Sequence, residues 1–395
     1  MNRVSQTTLF SNSTIGARHL LQQMTNQDSC QTAAGQDYQI FAVADGHGAT
    51  ECFRSEIGSR LAVDVAIKNL ELFAQTIKKY DLYSYLSRPK ERDELIRSLI
   101  SDIVAQWNQY VYADIKAYPI KEEEYERSQT LSSIYQKGMY LTNIYGSTMI
   151  AGLVTPEYIV LFQQGDGTLV VLEEDGTIDD PMPEDDLCIR NLTTSLCDKD
   201  AAKRMRYVYM DRKEKDPIAM IAATDGVERS FGDNIHLSAF YAELFYELSE
   251  LDEEEVGAYL ANLLPQISQR GSQDDVTMAG LFDAGRIGPV GEILVKTVQT
   301  ARSMDTMKSA ESTLKQEITS KNHYIRESEK LHHELMDVEN EMKALEKHRQ
   351  DIIREIDQIQ KKHMSTLIAC KEAKNVYDKA NCMFIQSLIA LEEHK

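Results

Sequence analysis

Ile40-Phe41-Ala42-Val43-Ala44-Asp45-Gly46-His47-Gly48 runs five apolar residues straight into an aspartate followed by glycine. An apolar run of that length closed by Asp-Gly reads as a buried strand ending in a sharp turn. The pattern returns late in the chain, in Ile218-Ala219-Met220-Ile221-Ala222-Ala223-Thr224-Asp225-Gly226-Val227. A third acidic pair stands in Gly271-Ser272-Gln273-Asp274-Asp275-Val276-Thr277, just before another apolar stretch. Carboxylates held at strand ends are what a hard divalent cation needs, because Mg²⁺ and Mn²⁺ take oxygen ligands in near-octahedral geometry. Glycine beside the carboxylate lets the backbone turn sharply and leaves the metal face uncrowded. The clusters point to metal-assisted hydrolysis.

The surrounding composition, 42% hydrophobic and 27% charged over 395 residues, is that of an ordinary globular protein. Such a length accommodates one large domain plus an appendage, or two domains. A formal net charge of −20 argues against affinity for nucleic acid or an anionic membrane, whose phosphates it would repel. Phosphorylated substrates stay within reach where metal ions supply local positive charge. The six cysteines, Cys30, Cys52, Cys188, Cys197, Cys370 and Cys382, are dispersed and form no CxxC pair. That speaks against a disulfide framework or a zinc site. The polar N-terminus lacks a signal-peptide pattern, and no window approaches the roughly 18 apolar residues of a membrane span. A cytoplasmic location is the expectation.

Before about Gly285, short apolar runs alternate with turn signals. Strands are expected at Tyr38 to Ala44, Ser147 to Val154, Tyr158 to Gln163, Thr168 to Glu173, Ala219 to Ala223 and Thr277 to Phe282. Short turns such as Thr155-Pro156-Glu157 and Glu174-Asp175-Gly176 make neighbouring strands antiparallel. Helical periodicity covers Ser55 to Phe73, Glu91 to Ile115 and Asp252 to Ser268. Long helices segregated between strand blocks imply an α+β fold, an antiparallel β-sandwich flanked by helices.

After Gly291 neither glycine nor proline occurs again, which signals long helix. Leu331, Leu335, Val338, Met342, Leu345, Ile352, Ile356 and Ile359 fall on alternating steps of three and four, with Arg349 the one polar interruption. About four heptads of this kind argue for a coiled coil. Its apolar seam must meet a second copy, a back-folded helix of the same tail, or another protein. Breaks near Ser320 to Asn322 or His363 to Thr366 would allow the hairpin. The organisation is therefore a catalytic domain over residues 1–285 and a helical coiled-coil interaction region over 286–395.

Asp45 is the best candidate for a carboxylate bridging two cations, with the Gly46 carbonyl beside it and Asp225 and Asp274 completing the set. Water caught between two such ions loses its proton readily and becomes a nucleophile near neutral pH. The ordered series Asn26-Gln27-Asp28, Val43-Ala44-Asp45-Gly46-His47-Gly48, Gly146-Ser147-Thr148, Gly165-Asp166-Gly167, Ala223-Thr224-Asp225-Gly226-Val227 and Ser272-Gln273-Asp274-Asp275-Val276-Thr277 resembles the protein phosphatase 2C family. These are metal-dependent serine/threonine phosphatases, and the resemblance spans roughly Thr8 to Asp283. It implies a β-sandwich fold and a Mn²⁺- or Mg²⁺-dependent attack of water on phosphoserine or phosphothreonine, within cellular signalling. By the resemblance Asp45 bridges, Gly46 lends its carbonyl, and Asp225 and Asp274 hold the first cation. Asp166 joins Asp225 at a third, weaker metal site, unless it is only a hairpin-turn residue. Asp28 holds metal-bound water, and His47 protonates the leaving hydroxyl, unless it merely bonds backbone. Asp275 is read as a supporting or turn-stabilising group.

The usual Arg-x-x-Asn-Glu-Asp of the family becomes Gln23-Met24-Thr25-Asn26-Gln27-Asp28. The phosphate-binding arginine is thus absent at Gln23, and Gln27 offers the second cation only a neutral oxygen, which weakens that site. A bacterial branch of the family carries Gln-Asp here, preceded by Gly-x-x-His. Gly16-Ala17-Arg18-His19 fits that variant, so Arg18 or His19 is either the missing phosphate contact or structural. The competing expectation is a weak or inactive phosphatase fold acting as a scaffold through its tail.

Overall fold

Two five-stranded antiparallel sheets are stacked in the first of two units, which ends at Leu294; the second begins at Val295. The computed structural model describes residues 7–128, 130–188, 192–340 and 346–392. In chain order the strands are β1 (Thr8–Thr14), β2 (Ser29–Ala34), β3 (Gln39–Ala44), β4 (Met149–Val154), β5 (Tyr158–Gln164), β6 (Thr168–Leu172), β7 (Ile178–Asp179), β8 (Arg206–Asp211), β9 (Ala219–Ala223) and β10 (Val276–Phe282). One sheet runs β1-β10-β9-β6-β7 and the other β2-β3-β4-β5-β8.

Side-chain alternation explains why β3, β4 and β5 read as unbroken apolar runs. Phe41, Val43, Ile150, Ile159 and Leu161 point between the sheets, against Leu169, Val171, Met220, Ala222 and Leu281 of the facing sheet. Ile40, Ala42, Ala44, Ala151, Val160 and Phe162 point the other way, under the helices Ser55–Lys79 and Pro89–Ala117. A strand covered on both faces has no polar side to show. The helix Glu253–Arg270 lies over β1 and β10 of the other sheet, and Asn234–Glu250 packs on β7 and β10. The expected α+β sandwich flanked by helices is therefore the fold.

Boundaries differ in instructive ways. Helix Ser55–Lys79 runs a turn and a half past Phe73, because Ala74 and Ile77 continue its buried face. The sequence reading passed over β1, β2 and β8 and the helix Asn234–Glu250. β1 (Thr-Leu-Phe-Ser-Asn-Ser-Thr), β2 and β8 are sheet edges, only partly buried, so their apolar signal is thin. The helix starts where the Asp233 carboxylate accepts from the N–H groups of Ile235 and His236.

The second unit is helical. Gly291–Asn340 and Glu346–Glu392 are long helices that lie side by side, residues 305 to 313 of the first and Ala373 and Val376 of the second lining one groove. Small Ala310, Ala373 and Ala380 are buried, as are Ile352 and Ile356 of the heptad series. Met342 and Leu345 of that series lie outside the described residues. Helix runs unbroken through Ser320 to Asn322 and through His363 to Thr366, the two places where a break would have allowed a hairpin. Thr319 and Thr366 donate their hydroxyls to the carbonyls of Lys315 and Lys362 four residues back, which pairs these polar groups within their own helices. Among the described residues no helix is long and apolar enough to cross a membrane.

Candidate active site

The ends of β3, β5 and β9 and the starts of β6 and β10 meet at one edge of the sandwich, and a cleft of about 810 Å³ opens there. Asp45, Gly46, His47, Asp166, Asp225 and Asp274 all line it, as do Arg18, His19, Gln27 and Asp275. Residues scattered over most of the first unit are thus gathered by strand order alone. Asp28 sits just behind the wall, buried, its Oδ2 accepting from Thr224 Oγ1 at 2.7 Å. Gln23 is exposed and does not line the cleft.

Backbone geometry fixes the floor. Asp45 N–H donates to Thr148 Oγ1 (2.9 Å) and its carbonyl accepts from Thr148 N–H (2.9 Å), which ties the end of β3 to the entry of β4. Gly46 N–H donates to the Gln27 carbonyl at 3.1 Å, and a β-carbon on Gly46 would stand 2.6 Å from the Ser55 carbonyl oxygen. No larger residue fits that approach. Asp166 tops the turn between β5 and β6, where Gly165 and Gly167 adopt φ of +89° and +95°, a region glycine enters without strain. Asp225 opens the short helix Asp225–Glu228 directly after β9.

The N-terminal loop is pinned by Asp275. Its Oδ1 accepts from Gly16 N–H (2.6 Å) and faces His19 Nδ1 (2.9 Å), and its Oδ2 accepts from Gln27 N–H (2.7 Å). Asp275 and His19 are both almost fully buried. His19 Nε2 lies 3.7 Å from Asp274 Oδ1, and Arg18 reaches Asp274 Oδ2 at 3.3 Å with half its side chain exposed. His19 is therefore held between two carboxylates, whereas Arg18 keeps donors free toward the cleft.

Burial first, and then the crowding of like charges, sets the electrostatics. Burial first, then Asp28 and Asp225, push Asp45 well above the usual carboxylate range. Burial and then Asp275 push Asp28 the same way, against hydrogen bonds from Thr224 and Thr277. Burial and Asp166 raise Asp225 to about 6, with Arg229 opposing. Burial lowers His47 below the ordinary imidazole range, while Asp166 and Asp198 pull it upward. Cys52, also on the cleft wall, is pushed up to about 12 by burial, so no thiolate nucleophile is available there.

Among the described residues no three His, Cys, Asp or Glu side chains are already drawn into an ion-clasping group. Asp225 faces Arg229 and Asp274 faces Arg18 instead. The donor set nevertheless fits a hard dication: oxygen-only, acidic, and mutually repelling until a positive charge enters. The sequence reading did not single out Arg229 or Thr193, which also line the cleft. Arg229 had a signal: it follows Asp225 by four residues, the spacing of an ion pair on one helical face.

A family model described as protein phosphatase 2C matches residues 15–265, and the chain belongs to that family. No curated protein matches it. Solved structures similar to it include a bacterial serine phosphatase, 15% identical over 70% of this chain and 97% of that one, with a TM-score of 0.42. The serine/threonine phosphatase Stp1 from Staphylococcus aureus is 16% identical over 71% of this chain and 95% of that one, at 0.42. The catalytic domain of PstP in complex with two manganese ions is 16% identical over 70% and 97%, at 0.39. At these values the structures add nothing to the family match.

Proposed function

We propose that this phosphatase-family chain hydrolyses phosphoserine or phosphothreonine in protein substrates, with two Mn²⁺ or Mg²⁺ ions held by Asp45, the Gly46 carbonyl, Asp225 and Asp274. The observation that carries the reading is the convergence of these residues on one cleft, with Asp45 and Asp225 raised by burial and then by the neighbouring aspartates. When bound, such ions withdraw charge from the phosphate and ease the loss of a proton from water.

The chain's own residues do the remaining work. Arg18 offers its exposed guanidinium to the phosphate, in place of the arginine missing at Gln23. His19 and Asp275 hold the loop that presents Arg18, through the contacts to Gly16 and Gln27. Asp28, fixed by Thr224, stands as the proton acceptor behind the attacking water. His47 gives a proton to the leaving hydroxyl, since a phosphate beside the ring favours its charged form. Residues 1–285 form the catalytic domain under this reading, and residues 286–395 an interaction module for a second copy or a partner protein. Met364, Ile368 and Val376, exposed on the second tail helix, supply its apolar surface.

Release of phosphate from an aryl phosphate in Mn²⁺ tests the reading. Asp45→Ala and Asp225→Ala should each reduce the rate more than about a hundredfold, the upper range for residues that only support a ligand. Undiminished rates in both variants reject the assignment. An inactive scaffold is the reading selected if the wild-type chain turns nothing over at saturating Mn²⁺.

A further inference from the structure

Asp166 and Asp225, the pair the family resemblance assigns to a third cation, already share a positive charge. Arg229 places Nη2 at 2.7 Å from Asp225 Oδ2 and 3.6 Å from Asp166 Oδ2. The arrangement is built from both sides. Arg229 lies one helical turn beyond Asp225, its N–H bonded to the Asp225 carbonyl at 2.8 Å, so its side chain returns over the carboxylate. Asp166 is clamped by Thr193, whose hydroxyl donates to Oδ1 at 2.7 Å while accepting the Asp166 N–H at 3.0 Å. That clamp leaves Oδ2 directed at the guanidinium.

We propose that Arg229 is a built-in substitute for the third metal ion, so that this chain works with two ions and carries the third positive charge itself. The inference rests on the two-ion reading above. A cation entering between Asp166 and Asp225 would have to displace the guanidinium from both carboxylates and tolerate its charge close by. Arginine stays protonated at every working pH, so this charge, unlike a weakly held ion, does not depend on metal concentration. Donors not spent on the two aspartates are left for an anionic group in the cleft that Arg229 also lines.

The test counts ions rather than turnover: Mn²⁺ bound per full-length chain, by equilibrium dialysis at rising free Mn²⁺. Wild type should saturate at two. Arg229→Ala, a change at a half-exposed side chain, should accept a third, weaker ion. Adding Asp166→Asn to that variant should return the count to two. Three ions in the wild type, or two in Arg229→Ala, overturns the substitution while leaving the two-ion reading intact. A third ion that survives Asp166→Asn does the same. A wild-type chain that binds none removes the two-ion reading and this inference together.

Discussion

Two buried charge clusters in the first unit look alike in composition and differ in balance. Around Arg54, itself buried, the Nε and Nη2 groups donate to the two oxygens of Glu124 at 2.7 and 2.8 Å. Its Nη1 donates to the Tyr118 carbonyl and to the Tyr145 hydroxyl, and that hydroxyl donates to Asp114. The hydrogen bond from Arg54 holds Glu124 below its ordinary value. In the cleft the reverse holds, and Asp28, Asp45 and Asp225 are all pushed up. One cluster is complete with the residues the chain supplies; the other has acid to spare. Buried charge does not mark a site by itself, but buried charge of one sign in excess of its counterparts does.

The sharpest way to break this contrast is to remove one carboxylate from the cleft. Asp45→Asn should abolish Mn²⁺-dependent phosphate release, a loss beyond about a hundredfold, and yet raise the melting temperature of the metal-stripped chain by relieving repulsion. A fall in that melting temperature would place Asp45 among structural acids. Next in size, Arg54→Met should destabilise the first unit by about 1.5–3 kcal/mol, because the half-buried Glu124 and Asp114 lose their charged hydrogen-bonding partner. Urea unfolding measures that loss. The Mn²⁺ concentration for half-maximal turnover of the surviving folded protein should stay unchanged, and a large shift in it would link the two clusters.

pH separates them more gently and with opposite sign. Asp225 has its folded value raised from 3.8 to about 6. The folded chain thus binds the extra proton, and the stability of the metal-stripped protein should fall as pH rises from about 4 through 6. Glu124 has its folded value lowered from 4.5, so its contribution is present above that value and is lost as pH falls below it. Added Mn²⁺ should raise the melting temperature more at pH 7 than at pH 5, since its ligands must first lose their protons. Equal shifts at both pH values would contradict a carboxylate site.

The central strands and three of the cleft aspartates were legible because one physical cause wrote both signals. A strand buried on two faces is apolar throughout, and its end must turn sharply where Asp45 and Asp225 stand. β1 and β2 were illegible because a sheet edge needs little apolar surface, and hydrogen bonding to a neighbour decides it. Arg229 was missed for another reason: its meaning depends on a turn, Gly165-Asp166-Gly167, that only the tertiary fold brings near. In the tail, the loss of glycine and proline after Gly291 made long helix legible, and Gly291–Asn340 and Glu346–Glu392 are such helices.

Phosphate release from a phosphothreonine peptide by the chelator-stripped full chain, followed as Mn²⁺ is returned, bears on the unbalanced acid of the cleft most directly. The rate should be negligible without the ion and rise to saturation with it. Release that persists through chelation, or none at any Mn²⁺ concentration, would contradict a cleft whose spare negative charge exists to hold catalytic cations.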